Sequence, residues 1–427
     1  MKKLVFVINY FYPDLASTGQ LMTELCEELA DDFTITVIAA QPGYAGTGAE
    51  KTSPPAPDYY GSIKVVRVPL PPVDKNSKAS RAKYVALYFT RALRALQREK
   101  DVDLVYTISQ PPVLGGLLGT LGKVLKRAKH VYNIQDFNPE QAEAAGYVKN
   151  QTVLRLAKAV DTVNCAFADH VVVVGEDMRT TLRRRFGKRK APMHSVINNW
   201  TNEKELVPLD KTHQVVQKFL KAHGLENKFI VMYSGNLGLY YDLENLIRLT
   251  KKFQSYPDVS FVFIGEGAKK AEMQEFVANH QLTNVLFLPY QPLEFIKYSL
   301  NAADIHLVVN QKGIKGVSVP SKIYGVMAAG KPAIGVLEAG SEAEKLLRVS
   351  RSGLVAEPKD YEAVEEAIAA MYHMDTEDRQ AMGRAGRAYL DQHLTKEASI
   401  GKYRTLFGDL TREKHAAVVP GTKAKPS

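Results

Sequence analysis

Residues Phe229-Ile230-Val231-Met232-Tyr233-Ser234-Gly235-Asn236-Leu237-Gly238 decide how this 427-residue chain is read. The first six are apolar or weakly polar and β-favouring, as in a parallel strand covered on both faces. Two glycines then flank an amide side chain where the chain leaves the strand. Upstream, Asn199–Asn227 is polar and charged and contains Pro208, the composition of a crossing between domains plus a first helix. The quoted stretch therefore opens a second round of strands and helices after a first round has closed.

The first round reads as strands at Leu4–Ile8, Thr34–Ala39, Ile63–Arg67, Leu104–Thr107, His130–Ile134, His170–Val174 and Ser195–Ile197, with helical patterns between them. The second reads as strands at Phe229–Ser234, Val259–Ile264, Val285–Phe287, Ile305–Val309, Ala333–Gly335 and Gly353–Ala356, again separated by helices, among them Tyr241–Gln254 and Ser321–Ala329. A helical stretch, Thr376–Phe407, closes the second round. Such alternation builds doubly wound parallel sheets. The prediction is an α/β protein of two Rossmann-like units, 1–200 and 229–400, joined by a linker region at 201–228. The tail, 414–427, with Pro420, Gly421 and Pro426, reads as disordered.

Hydrophobic residues make up 45% of the chain and charged residues 24%, which fits globular domains. The net charge of +10 admits nucleic acid, an anionic membrane or an acidic small molecule as partner. Nucleic acid is set aside, because the basic clusters lack interleaved aromatics and any recognisable module. Arg183-Arg184-Arg185 with Lys188-Arg189-Lys190 is the densest cluster, and Val113–Lys129 passes from apolar residues to Lys123, Lys126, Arg127 and Lys129. Each reads either as a solvated cationic face or as a contact to an anionic inner leaflet. Cys26 and Cys165 have no metal spacing and read as buried reduced thiols. The opening Met1-Lys2-Lys3 and Leu4–Ile8 imitate a signal peptide, but Asn9 interrupts the apolar run and no cleavage site follows. No segment reaches the roughly 18 apolar residues of a spanning helix. The expected location is cytoplasmic, with peripheral attachment to the membrane left open.

Ligands of open parallel sheets bind beyond the carboxyl ends of the strands, at helix N-termini. Four loops in such places carry suitable residues. Asn9–Gln20 is long and aromatic, with Gly19 letting backbone approach an anion or simply forming the turn. Tyr233–Gly238 offers Gly235, Asn236 and Gly238, and the nearby Gly265-Glu266-Gly267 repeats the arrangement more weakly. In Val319-Pro320-Ser321-Lys322, Ser321 is placed to cap the next helix, and Lys322 stands in its first turn, where a cation gains nothing from the dipole unless an anion joins it. In Glu338-Ala339-Gly340-Ser341-Glu342, Ser341 offers a hydroxyl to phosphate, while Glu342 reads equally as a ligand or as a dipole-compensating carboxylate. Together these loops predict a diphosphate or nucleotide clamp, which by itself does not separate a transferase from an epimerase.

Several motifs in order resemble the family-four glycosyltransferases of bacterial polysaccharide assembly. They are Tyr12-Pro13 with Gly19, Gln135-Asp136-Phe137-Asn138-Pro139-Glu140, Asn198-Asn199-Trp200, Tyr233–Gly238, Ile264–Gly267, and Pro320-Ser321-Lys322 through Gly330-Lys331-Pro332. The resemblance is nearest to the branch handling deoxy- and amino-sugars in colanic acid, O-antigen or capsule synthesis, and it covers about residues 1 to 410. It implies a GT-B fold and a nucleotide-sugar donor, UDP- or GDP-linked, held mainly by the C-terminal domain. It further implies a lipid-linked or saccharide acceptor at the N-terminal domain, retention at the anomeric carbon, no essential metal or other cofactor, and a final helix, 401–413, returning to the N-terminal domain. Two positions depart from the family pattern: its glutamate pair falls near Val317 and Gly325, and Gln135 stands where many relatives carry histidine.

The resulting expectation is a metal-independent transferase in which Lys322 stabilises the departing diphosphate and Asp136 orients acceptor or sugar. Gly19, Gly235, Asn236, Gly238, Gly265, Glu266, Ser321, Ser341 and Glu342 surround the donor, and Tyr290, in the loop Leu288–Gln291, meets the base. Two other readings stay open: a sugar-nucleotide 2-epimerase of the same fold, and a silent nucleotide-sugar-binding relative suggested by Val317 and Gly325.

Overall fold

The computed structural model describes residues 1–14, 17–42, 58–71 and 77–412. The strands of the first unit are β1 (Lys2–Val7), β2 (Phe33–Ala40), β3 (Tyr59–Tyr60), β4 (Ile63–Val68), β5 (Leu104–Ile108), β6 (Lys129–Ile134), β7 (His170–Val173) and β8 (His194–Val196). They form one sheet in the order β3-β4-β2-β1-β5-β6-β7-β8. Every pairing is parallel except the two-residue hairpin of β3 with β4. The second unit has β9 (Phe229–Ser234), β10 (Val259–Ile264), β11 (Val285–Leu288), β12 (Ile305–Val309), β13 (Ala333–Val336) and β14 (Gly353–Ala356), ordered β11-β10-β9-β12-β13-β14 and parallel throughout.

These strands form because helices cover both of their faces. β5, β10 and β12 are buried at every residue, and each fully buried Val, Leu, Ile or Phe contributes about 1.5–3 kcal/mol. In both sheets the strand order turns back beside the first strand, between β1 and β5 and between β9 and β12. A crevice opens at such a switch point. The loops after β1 and β5 in one unit, and after β9 and β12 in the other, therefore frame the site.

Differences from the sequence reading are local. The hairpin strand β3 and the short helix Glu140–Ala144 are additional, since neither is long enough to show a period. Tyr241–Gln254 is a four-residue α-turn, Leu243–Leu246, continued by the 3-10 segment Ile247–Phe253. The closing stretch is two helices, Thr376–His393 and Lys396–Arg412, parted at Leu394. The linker region 201–228, read as part of a crossing plus a first helix, contains a helix at Gln214–Ala222. That helix buries Val216, Phe219 and Leu220 in the second unit's core, because its apolar spacing presents one continuous stripe. The predicted disordered tail lies outside the described residues.

The chain crosses between units twice. Arg387 ties the crossings together by donating to the carbonyls of Glu203, Leu206 and Ala328. After the break at Leu394, the helix Lys396–Arg412 lies on the first unit, with Ile400, Tyr403 and Phe407 in its core beside Phe6 and Tyr106. Tyr403 also accepts a hydrogen bond from Asn133 at 2.7 Å.

Candidate active site

The loop after β9 leaves the sheet at Gly235, whose φ of +142° suits glycine alone and whose absent side chain makes room for Lys322. A Cβ there would lie 2.3 Å from Lys322 Cε. Behind it, Gly265 also has a positive φ, +144°, and a Cβ on it would run into the Gly235 carbonyl at 1.9 Å. The two post-strand loops are thus stacked backbone on backbone. Leu237 N–H donates to the Glu266 carbonyl at 2.9 Å and seals the stack.

Lys322 begins the short helix Lys322–Ala328, reached from β12 by the loop 310–321. Its ammonium lies 4.1 Å from the ring centre of Tyr241 and 5.1 Å from that of Tyr233. Among the described residues it forms no ion pair. Burial is the cause that drives its pKa down to about 8, since a buried charge without a partner is disfavoured. The aromatic faces offset part of that cost. At neutral pH such a lysine is still mostly protonated, and an anion brought beside it would favour the charged form.

Ser321, read as a cap, has helical backbone angles and makes no capping bond. Its hydroxyl instead lies 3.4 Å from that of Ser17 in the opposite unit. Ser17 opens the helix Ser17–Leu29, in which Gly19 packs under its own loop. A Cβ on Gly19 would stand 3.2 Å from Tyr10 Cβ and 3.4 Å from the Asp14 carbonyl. The N-terminus of that helix, Ser321, Lys322 and Gly235 therefore meet across the crevice. Asn236 is exposed at its lip, and Gly238 is buried behind it. Tyr290 stands over Gly265 with its hydroxyl 3.3 Å from the Glu266 carbonyl, which it donates to, and its ring is 42% exposed. The Glu266 carboxylate points away to Lys270 at 2.6 Å.

Asp136 closes the other side. Its backbone bridges Ser318 of the second unit, and Phe137 N–H donates to the Val317 carbonyl at 2.8 Å. Burial raises the Asp136 pKa above the ordinary carboxylate value, opposed by hydrogen bonds from Ser318 and Gln141. Its charge is felt by Tyr240 and Tyr241, which puts the carboxyl on the same wall as the Lys322 cage.

The fourth predicted loop is closed. Ser341 caps the helix Glu342–Ser350 by accepting from Glu344 N–H, and the Glu344 carboxylate accepts from Gly340 N–H at 3.0 Å. Glu342 accepts from Glu176 N–H at 2.9 Å and from Asn198 at 3.0 Å, both in the first unit. Asp177 returns the contact by accepting from the N–H groups of Gly316 and Glu342. Two helix N-termini from opposite units are each capped by the other's carboxylate. Among the described residues neither Ser341 nor Glu342 bonds to Lys322; their recorded partners are Glu344, Glu176 and Asn198.

Val317 and Val319 pack into the first unit's core cluster with Phe137 and Met178. A side chain at Gly325 would meet only Leu300 and Leu206, at 3.6 and 3.8 Å, so space does not require glycine there. Of the basic cluster, Arg185 is no surface cation. Its guanidinium is 1% exposed, paired with Asp161 and Glu140 and laid on the Phe137 ring. A cavity of about 480 Å³ lies beside it, lined by Lys158, Arg184, Lys315 and Val317 but by none of the residues around Lys322. Tyr241, Ser17 and Asp177 are site residues that the sequence reading missed. Tyr240-Tyr241, an aromatic pair two residues beyond Gly238, was the one available signal.

Comparison with known proteins bears on the fold and the family. The family described as glycosyl transferases group 1 matches residues 215–389, and the glycosyl transferase 4-like domain matches residues 18–200. WbjE of Pseudomonas aeruginosa, described as a glycosyltransferase, is 25% identical over 97% of this chain and 99% of its own. WcaI of Escherichia coli strain K12, described as a colanic acid biosynthesis glycosyl transferase, is 26% identical over 94% of this chain and 98% of its own. Among solved structures, sucrose-phosphate synthase from Thermosynechococcus elongatus superimposes with a TM-score of 0.77 at 16% identity, covering 97% of this chain and 100% of that one. HepE of Anabaena in complex with UDP gives 0.71 at 16% identity, covering 96% and 100%. The chain belongs to the family-four glycosyltransferases of GT-B fold, in the branch that builds polysaccharides.

Proposed function

We propose that the protein transfers a sugar from a nucleoside-diphosphate donor, carried on UDP or GDP, to a lipid-linked or saccharide acceptor, with retention of anomeric configuration and without a metal or other cofactor. The observation that carries this reading is the Lys322 corner, where a desolvated ammonium without an ion pair among the described residues faces a crevice between two helix starts. HepE of Anabaena, a neighbour in fold solved in complex with UDP, supports it. The acceptor hydroxyl attacks the anomeric carbon on the face from which the diphosphate departs. The bond from that carbon to the diphosphate oxygen breaks as the new glycosidic bond forms, and the hydroxyl proton passes to the departing diphosphate. Charge therefore accumulates on the diphosphate, and a preorganised cation in a dry site stabilises it most effectively. Lys322 supplies that cation, the Ser17–Gly19 helix start adds backbone dipole, Tyr290 stacks on the base, and Asp136 orients the acceptor or the sugar.

Diphosphate release from a panel of UDP- and GDP-sugars, measured with membrane-extracted acceptor and with excess chelator, tests the proposal. It predicts acceptor-dependent release from one base series that survives chelation. Donor epimerisation without acceptor would replace it with the 2-epimerase reading, and binding without turnover would replace it with the silent one. A lipid-linked acceptor would place the enzyme on the cytoplasmic face of an anionic membrane. No helix among the described residues is long and apolar enough to cross one.

A further inference from the structure

The first unit leaves an unusual surface uncovered. On the helix Gln151–Phe167, Val153, Leu156, Val163 and Phe167 are 51–66% exposed, and with the partly exposed Val160 they recur every three or four residues, so they form one stripe. Leu154, Asp161, Asn164 and Cys165 face the core instead. The helix Leu114–Lys126 runs alongside and carries Val124 and Leu125, 65% and 46% exposed, below the half-buried Leu114, Leu117 and Leu121. The two helices are locked together by small residues and polar bonds. Asn164 donates to the Val113 carbonyl at 3.0 Å and accepts from Thr120 at 3.2 Å, while Lys123 donates to the Phe167 carbonyl at 2.8 Å. The stripes therefore merge into one rigid apolar face about 20 Å long. Hydrophobic side chains scattered singly over a surface need no account, but a contiguous face does.

Charge selects the occupant. The charged residues on the outer side of both helices are cationic: Arg155 and, just beyond the first helix, Arg127 are exposed. Lys123 pairs with Asp169 at 2.9 Å, Lys158 with Glu140 at 3.2 Å, and Lys126 donates to the Gln97 and Glu99 carbonyls at 2.6 Å. The single carboxylate, Asp161, is buried against Arg185 and Tyr132. A second copy of the chain would bring the same cations together, and the nearby acids, Glu140 and Asp169, are already paired within the chain. An anionic bilayer accepts apolar side chains at its headgroup boundary and neutralises the flanking cations. Both helices start on the crevice side, one directly after β5 and the other after the Asp136–Glu140 segment.

We propose that the joint outer face of helices Leu114–Lys126 and Gln151–Phe167 docks on an anionic lipid surface and sets the crevice beside it. This deepens the membrane-side part of the proposed function and rests on that reading only for what arrives at the crevice, since lipid binding is independent of turnover. It also moves the contact away from the Arg183–Lys190 cluster, where Arg185 is internal.

Co-sedimentation of the full chain with phosphatidylcholine vesicles, with and without phosphatidylglycerol, tests the assignment. Wild-type protein is expected to bind the anionic vesicles. The exposed double variant Leu156→Glu with Val163→Glu should lose at least about tenfold in that binding. Lys188→Glu with Arg189→Glu should lose no more than about threefold. Thermal stabilisation by UDP and GDP, followed in all three proteins, reports that the fold and the donor site are intact. Equal vesicle binding by the Leu156/Val163 variant, or no binding by wild type at low salt, would overturn the proposal. So would a wild-type dimer in light scattering that the same substitutions split. Vesicle binding without nucleotide stabilisation would sink the donor reading and leave the docking face standing.

Discussion

Two turns on adjacent strands of the same sheet behave in opposite ways. After β12, the chain reaches Lys322 with an ammonium that has two aromatic rings and, among the described residues, no carboxylate. After β13, the turn at Gly340–Glu342 has its amides and hydroxyl engaged, by Glu344 within the turn and by Asp177 from the other unit. Both offer glycine, serine and a helix start. On the proposed reading, what distinguishes the anion site from the structural joint is the unsatisfied donor, because a polar group already paired has little left to offer a ligand. One turn is kept hungry for charge, and the other holds the two units against each other.

The sharpest break in that comparison is Lys322→Ala. Removing one charge-assisted contact from a transition state costs about 2–4 kcal/mol, so kcat/KM should fall about 30- to 1000-fold in the transfer assay. Next comes Gly235→Ala. It forces a residue with a Cβ into φ +142° and pushes Lys322 Cε out of its place. About 1–3 kcal/mol of strain should appear as lost stability in denaturant unfolding, together with weaker nucleotide binding.

A pH series sharpens the same contrast. The folded-state pKa of Lys322 is lowered to about 8 from the ordinary lysine value, so protonation is penalised in the folded protein and its stability rises with pH between those values. A bound diphosphate favours the ammonium and takes up a proton. Affinity for a nucleoside diphosphate should thus fall by up to about tenfold per unit above pH 8, read by calorimetry, and that slope should vanish in Lys322→Met. The smallest effect belongs to the closed turn. Ser341→Ala should cost about 1 kcal/mol of stability in thermal unfolding, as a lost cap, and shift nucleotide affinity less than about twofold.

The contrast also marks what the sequence could and could not tell. The parallel strands were legible nearly to the residue, because a strand buried on both faces must be a run such as Val259–Ile264. Lys322 stood out because a lysine in a helix's first turn is out of place, and its burial against two aromatic rings gives that oddity a structural form. Ser341 and Glu342 read as donor ligands because a sequence displays donors without showing what satisfies them. Their partners Asp177, Glu176 and Asn198 lie in the other domain. Arg185 misled for the same reason, since an arginine run looks like a surface until Asp161 and Glu140 are found beneath it. The Tyr241 ring was hidden by its place in a segment read only as helix, which folds as an α-turn and a 3-10 stretch.

The most direct test is calorimetric titration of UDP and GDP into wild type, Lys322→Met and Ser341→Ala. The account predicts that one nucleotide binds wild type, that Lys322→Met weakens it at least about tenfold, and that Ser341→Ala leaves it within about twofold. A Ser341→Ala protein that loses binding while Lys322→Met retains it would contradict the assignment of the diphosphate to the Lys322 corner.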